Sequence, residues 1–294
     1  MRKPTRRTET GRGERVLPGV WRLRLRLPLP WAAVPHCNAW ALARGDGIVL
    51  IDCGIDQPGA LRDLERALEP AGFALEDVRL LVCTHAHVDH CGQAAGVQAG
   101  SGCELWIHPR RDHFTTRNGP LDVARELVPG VVVESDAGAW DVYETPGHAP
   151  SHVVLHQPGQ RLLVSGDHVL GRTSLYFDHG WTPDPVAEFL QSLELVERLD
   201  VRLTLAGHGR PFTDLRGHVA ANRALVHERL EAVSDALRER PASPPELLPP
   251  VYGESTESDK AAWLVTKLRC YLDHLERQGG AQRVDGDPER WAPA

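Results

Sequence analysis

The stretch LLVCTHAHVDHCGQ (residues 80–93) sets three histidines and an aspartate, His85, His87, Asp89 and His90, into six positions directly behind an apolar run. The run VRLLVCTH (78–85) reads as one short buried strand, and the ends of strands are where a rigid sheet presents side chains to a cleft. Along an extended segment His85 and His87 point the same way. Asp89 and His90 open the next element and can reach round the same point from another side. Four donors so placed predict a fold that brings further ligands to one sheet edge.

Such residues recur downstream, each at a strand's end beside glycine: TPGH with His148, SGDH with Asp167 and AGHG with His208. Neutral imidazole suits zinc and similar borderline ions, and a carboxylate can bridge two of them while lowering the charge of the site. Seven ligands suffice for two cations. The expected split is His85, His87 and His148 on one ion, Asp89, His90 and His208 on the other, and Asp167 between them. Paired ions of this kind sit about 3.5–4 Å apart and share a water whose pKa falls to about 7.

The rest of the chain alternates strands and helices in two similar rounds. Strands are expected near 20–27, 36–43, 47–54, 140–148, 152–157, 160–168 and 201–209, with CELWIHP adding another. Helices are expected over about 58–70, in DHCGQAAGVQAG, and over 184–199. Residues 109–130 read as irregular or helical, an insertion over one rim. Residues 1–15 read as a disordered tail and 16–214 as the main domain. Residues 215–294 read as a small helical module, with a long helix over 217–240, a linker or short turn at PASPPELLPP, then a helix, a Gly-Gly turn and a short strand.

Several function classes fall away. The glycine pattern of a dinucleotide site is missing from the strand–helix turns. The six cysteines form no CxxC pair, so reduced thiols in a cytoplasmic protein are expected. No stretch is long and apolar enough to span a bilayer. The net charge of −7 gives no global attraction to nucleic acid. Residues 216–294 carry eleven Arg and Lys against thirteen Asp and Glu, a net of −2 and no basic footprint for phosphates.

The HAHVDH run, with His148, Asp167 and His208 following in order, resembles the HxHxDH signature and later ligands of the metallo-β-lactamase superfamily, over about residues 17–212. Within it, GDHVLGRTSLYFDHGWTPDPVAEFLQSLE and the helical tail look most like the beta-lactamase-like protein two group, with glyoxalase II a near relative. The resemblance implies an α+β fold, an αββα sandwich with a dinuclear site at one edge and a winged-helix-like C-terminal module. It implies that Asp52 orients a metal histidine or the HxH turn, and that Tyr176, His179 and His168 shape the substrate pocket. Trp31 and Trp40 are weighed as cleft borders against plain packing. Where many relatives have Gly-Gly after the fourth ligand, this chain has Cys91-Gly92-Gln93. True zinc β-lactamases often use a cysteine at the second ion, whereas Asp167 stands here, which speaks against antibiotic hydrolysis.

The expected reaction is hydrolysis of an ester-like carbonyl, a thioester first, by hydroxide bridging two divalent ions, with Asp89 as the catalytic residue that orients it. Zinc is the expected metal, with iron or manganese as alternatives. The expected partner is a small acyl thioester or ester, not nucleic acid or a membrane, and a homodimer is the assembly considered. The rival activities are a lactonase or carboxylic-ester hydrolase, an endoribonuclease, and a mononuclear iron persulfide dioxygenase.

Overall fold

The computed structural model describes residues 10–28, 35–286 and 288–294, apart from the side chains of 116–118. Trp31 and most of the expected N-terminal tail lie outside the described residues. A seven-stranded sheet runs in the order β1 (Arg12–Leu17), β2 (Val20–Arg26), β3 (His36–Arg44), β4 (Gly47–Ile51), β5 (Val78–Val82), β6 (Glu104–Ile107) and β7 (Arg125–Glu126). Its first four strands are antiparallel, and β4 to β7 are parallel. The parallel crossovers are made by α1 (Ala60–Leu68), by α2 (Val88–Cys91) with α3 (Ala94–Ser101), and by α4 (Asp112–Asn118).

The second sheet has five strands: β8 (Val132–Ser135), β9 (Gly138–Glu144), β10 (Val153–Gln157), β11 (Leu162–Gly166) and β12 (Leu203–Ala206), with β12 at the edge beside β11. Helix α5 (Pro185–Glu197) connects β11 to β12. Then come α6 (Leu215–Glu239), α7 (Leu248–Tyr252), α8 (Ala261–Arg277) and a hairpin of β13 (Ala281–Val284) and β14 (Arg290–Pro293).

The layering follows from the two-residue period of the strands. Trp40, Leu42, Val49, Ile51, Val153, Leu155, Leu162 and Val164 meet between the sheets. Their neighbours Ala39, Ala41, Ile48 and Leu50 face α1 and α3, while Val154 and Leu163 face α5 and the C-terminal helices. Strands β4, β10 and β11 are therefore buried on both faces, which is why their apolar residues run consecutively, as IVLI, VVL and LLV, rather than alternating. The fold is an αββα sandwich. Its C-terminal helices share one continuous core with α5 and the outer face of the second sheet, from Phe189 through Leu268 to Trp291. Among the described residues no helix is long and apolar enough to cross a membrane.

Two local expectations are corrected and one is narrowed. Residues 12–15, read as tail, pair with Arg24–Trp21 as an edge strand; their polarity suits an edge, and only the partner strand makes them β. Of the two readings of PASPPELLPP, the short turn holds: it is a 3-10 turn, and it runs on into α7, which was not expected. Its prolines fall where the first helical turn tolerates them, and Ser243 and Glu246 cap it reciprocally, with the Ser243 backbone N–H and hydroxyl donating to Glu246 Oε2 at 2.8 Å. The segment 109–130 is not merely an insertion, since Arg125–Glu126 extends the first sheet beside β6.

Candidate metal centre

The sheets meet at the C-terminal ends of β5, β11 and β12. Backbone bonds join the layers there: Asn38 N–H donates to Gly207 O at 2.7 Å, and Val153 N–H to Thr84 O at 2.8 Å. His85 follows β5, His87 precedes α2, and Asp89 and His90 lie on it. His148 lies in the β9–β10 loop, Asp167 directly follows β11, and His208 follows β12 after Gly207. Gly207 is required by crowding, since a Cβ there would fall 2.2 Å from Asp167 Oδ1.

All seven side chains converge. His87 Nδ1 lies 3.1 Å from His85 Nε2 and 3.0 Å from His148 Nε2. On the other side, His208 Nε2 is 3.3 Å from Asp89 Oδ2, and His90 Nε2 is 3.7 Å from the same oxygen. Asp167 stands between the two groups, 3.4 Å from His90 Nε2, 3.1 Å from His208 Nε2 and 3.8 Å from His148 Nε2. Two triads, His85–His87–His148 and Asp89–His90–His208, thus have ligand atoms close enough to hold a cation each. His85 and His90 are fully buried, while His87, Asp89 and His208 keep a solvent-facing edge.

The two halves differ electrically. In the three-histidine half, burial drives His148 down to about 3 and His85 well below the usual imidazole range, which leaves those two rings neutral, the form a metal takes, whereas Asp178 raises His87 against its burial. In the carboxylate half, burial works against charge, yet Asp167, Asp89 and Asp52 hold His90 well above its usual range. Asp167 and Asp89 likewise raise His208 to about 10 against its burial. The pull that raises these imidazoles is the pull a divalent cation would feel. His90 Nε2 and Asp167 Oδ1 are buried and face each other at 3.4 Å without forming a hydrogen bond, a gap between donor atoms that a cation could fill. This donor set fits divalent metal.

Asp52 ends β4 with φ at 60°, a conformation rare outside glycine. Its carboxylate accepts from Thr84 N–H and from His90 Nδ1, both at 2.8 Å, which turns His90 Nε2 toward the centre. His152 accepts from Asp167 N–H at 3.1 Å, fixing that backbone. Gln93 donates to Cys53 O and Cys91 to His87 O, so both pack the loop and reach no ligand atom.

Of the expected pocket residues, Tyr176 lies 5.7 Å, ring to ring, from both His87 and His148, and stacks flat on Trp263 of α8. His168 is buried against Phe189 and lies 6.0 Å, ring to ring, from His152, and burial lowers it to about 3. His179 turns away to Asp273 of α8 at 2.9 Å. Trp40 is core. Sequence reasoning passed over Asp178, whose Oδ2 lies 2.8 Å from His87 Nε2, with His113 3.9 Å away. The available signal was its place two residues after Tyr176, which puts both on one side of an extended stretch.

A family model described as Metallo-beta-lactamase superfamily matches residues 33–208. The chain is 25% identical over 302 residues to the probable metallo-hydrolase YqjP of Bacillus subtilis, covering 86% of this chain and 92% of that protein. It is 24% identical over 252 residues to atrochrysone carboxyl ACP thioesterase nsrC of Aspergillus novofumigatus, covering 82% of this chain and 72% of that one. The crystal structure of a beta-lactamase domain protein from Burkholderia ambifaria is similar with a TM-score of 0.84 and 28% identity, over 97% of this chain and 94% of its own.

Proposed function

The chain belongs to the metallo-beta-lactamase superfamily, and we propose that it hydrolyses a thioester using two divalent ions, zinc first among them. His85, His87 and His148 would hold one ion, Asp89, His90 and His208 the other, with Asp167 shared. The observation that carries this reading is the pair of ligand triads on either side of one carboxylate, with His90 Nε2 and Asp167 Oδ1 buried and unbonded. When bound, such ions supply an activated water near neutral pH and draw charge from a carbonyl oxygen.

The chain's own residues supply the rest. Burial opposes the charge of Asp89, but His90 and His208 hold its carboxyl below the usual range. It is therefore anionic at neutral pH and can orient the attacking water and take its proton. Tyr176, against His87 and His148, is a wall for the acyl group. In the reaction a C–O bond forms, the C–S bond breaks, and the proton from water passes to the departing sulfur.

The choice of a thioester rests on what the site lacks. Asp89, Asp167 and Asp178 are all held below the usual carboxylate range, so none of them is a standing acid and the proton available to a leaving group is the one Asp89 takes from water. A thiolate, whose conjugate acid has a pKa near 8.5, leaves with little such help. The resemblance to a protein named as an ACP thioesterase supports the same reading.

The test is elemental analysis of metal-loaded protein followed by a panel of acyl thioesters, lactones, single-stranded RNA and persulfides. Two ions per chain and highest kcat/KM on thioesters are expected. A single iron with persulfide oxidation, or salt-sensitive RNA cleavage lost in Asp167→Asn, would overturn the thioesterase reading. Lactone preference would keep the centre and change the substrate.

A further inference from the structure

We propose that Asp178 is the positioning residue of His87, and that helix α8 sets Asp178 in place, so that the C-terminal helices tune how tightly the three-histidine triad holds its ion. The inference rests on the metal reading above and extends it to residues outside the ligand set.

The two nitrogens of the His87 ring meet different partners. His87 Nδ1 faces His85 Nε2 and His148 Nε2 at 3.1 and 3.0 Å, so it is the nitrogen that belongs to the triad. Its Nε2 lies 2.8 Å from Asp178 Oδ2. A neutral imidazole carries one N–H, and a carboxylate at Nε2 keeps the proton there, leaving the Nδ1 lone pair for a metal. Asp52 does the same for His90 from within the first sheet.

Asp178 has no strand to hold it. It lies in the irregular stretch between β11 and α5, and the neighbours that fix this stretch come from α8. Lys267 Nζ donates to Leu175 O at 2.9 Å. Trp263 stacks on Tyr176 with rings 5.8 Å apart and 4° from parallel. Tyr271 meets Phe177 edge to face at 5.6 Å, and Asp273 pairs with His179 at 2.9 Å. The side chains at 263, 267 and 271 recur every four residues, one face of a helix. Asp178 N–H also donates to His148 O at 3.3 Å, tying the stretch to a second ligand of the same triad.

His87, His113 and Asp178 are close enough together to hold a cation of their own. That would require His87 to give up both ring protons, and 2.8 Å is an ordinary hydrogen-bond distance. The geometry therefore favours positioning over a third ion.

The test titrates metal-free, full-length protein with zinc against a chromophoric chelator, and records the visible spectrum of the cobalt-loaded form. For Asp178→Asn one of two affinities should fall by about 10- to 100-fold, the other staying within about twofold, with changed cobalt bands. Asp178→Glu should recover part of the loss, and Lys267→Met should weaken the same site by less. Thermal melts establish that each variant folds; if Asp178→Asn does not, Asp178→Glu and Lys267→Met carry the comparison. Unchanged affinities in Asp178→Asn would overturn the proposal, as would a third ion in the parent that this variant loses. Loss in Asp178→Asn with none in Lys267→Met would overturn the role of α8. Failure of the parent to bind any ion would defeat the metal reading itself, whereas two ions bound normally by Asp178→Asn would defeat only this inference.

Discussion

A carboxylate in contact with both triads and a thiol one residue past the last close ligand make opposite demands on the site. Asp167 reaches His90, His208 and His148, whereas Cys91 is buried and directs its Sγ to His87 O. Asp167→Asn should therefore lower kcat/KM by at least the roughly 100-fold seen when supporting residues of metal sites are lost. Cys91→Ala should cost stability by about 1 kcal/mol and leave activity nearly intact. Equal losses in folded, metal-replete variants would show the ligand assignment to be wrong. Gly147 makes a second case at this scale. Its φ is +120°, and a Cβ would lie 2.5 Å from the Phe189 backbone, so Gly147→Ala must displace either α5 or His148. A drop in unfolding free energy of about 2 kcal/mol or more, together with weaker metal binding, is expected from denaturant titrations. The ligand types and their order were legible in the sequence because metal chemistry restricts them. Asp178 was not, since a lone aspartate in a loop acquires a role only through the ring it meets.

Helix α8 works through a buried ammonium. Lys267 is almost wholly covered, lies over Trp263 at 4.1 Å and Tyr252 at 5.1 Å, and is pushed down to about 7 by burial and then by Arg229. An unfolded lysine titrates near 10.5, so between about pH 7 and 10 the unfolded chain binds the extra proton. Folding stability should rise across that window, flat below it, by an amount on the order of a few kcal/mol. Melting curves of Lys267→Met should lack this rise; a rise equal to the parent's would show the group is not its source. Helix α5 depends on Asp184, which caps it by accepting from Ala187 N–H at 2.9 Å and meets His274 Nδ1 of α8 at the same distance. Asp184→Ala should cost roughly 1–2 kcal/mol, read from urea midpoints. The extents of α1, α5 and α6 follow closely from apolar period and end signals. The strand at 12–17 and helix α7 did not, because an edge strand needs its partner and proline-rich runs look alike in turns and first helical turns.

At the level of the whole molecule, the C-terminal helices are part of the same packed body as the second sheet. Phe189, Leu193 and Val196 of α5 share a core with Val219, Val226, Leu264, Leu268 and Tyr271. Deleting residues 215–294 should do more than relax substrate choice. It should expose this face, so the truncated chain is expected to aggregate or melt at much lower temperature, with loss of metal affinity, in light scattering and thermal melts. A soluble fragment with unchanged metal binding would contradict both the shared core and the coupling of α8 to His87.

The candidate ligand set was legible from residue types and their places at strand ends, and the αββα sandwich was expected from the family resemblance those residues carry. Strands buried on both faces carry consecutive apolar residues, and His and Asp at strand ends beside glycine have few uses other than a shared centre. Tertiary structure alone decided which nitrogen of each ring faces the centre, that Asp178 rather than His168 or His179 reaches it, and that α8 stands behind it. These depend on contacts between residues about ninety positions apart, such as His87 with Asp178 and Leu175 with Lys267. Local pattern carries no record of such pairs, because the physical reason for each residue is supplied by its distant partner.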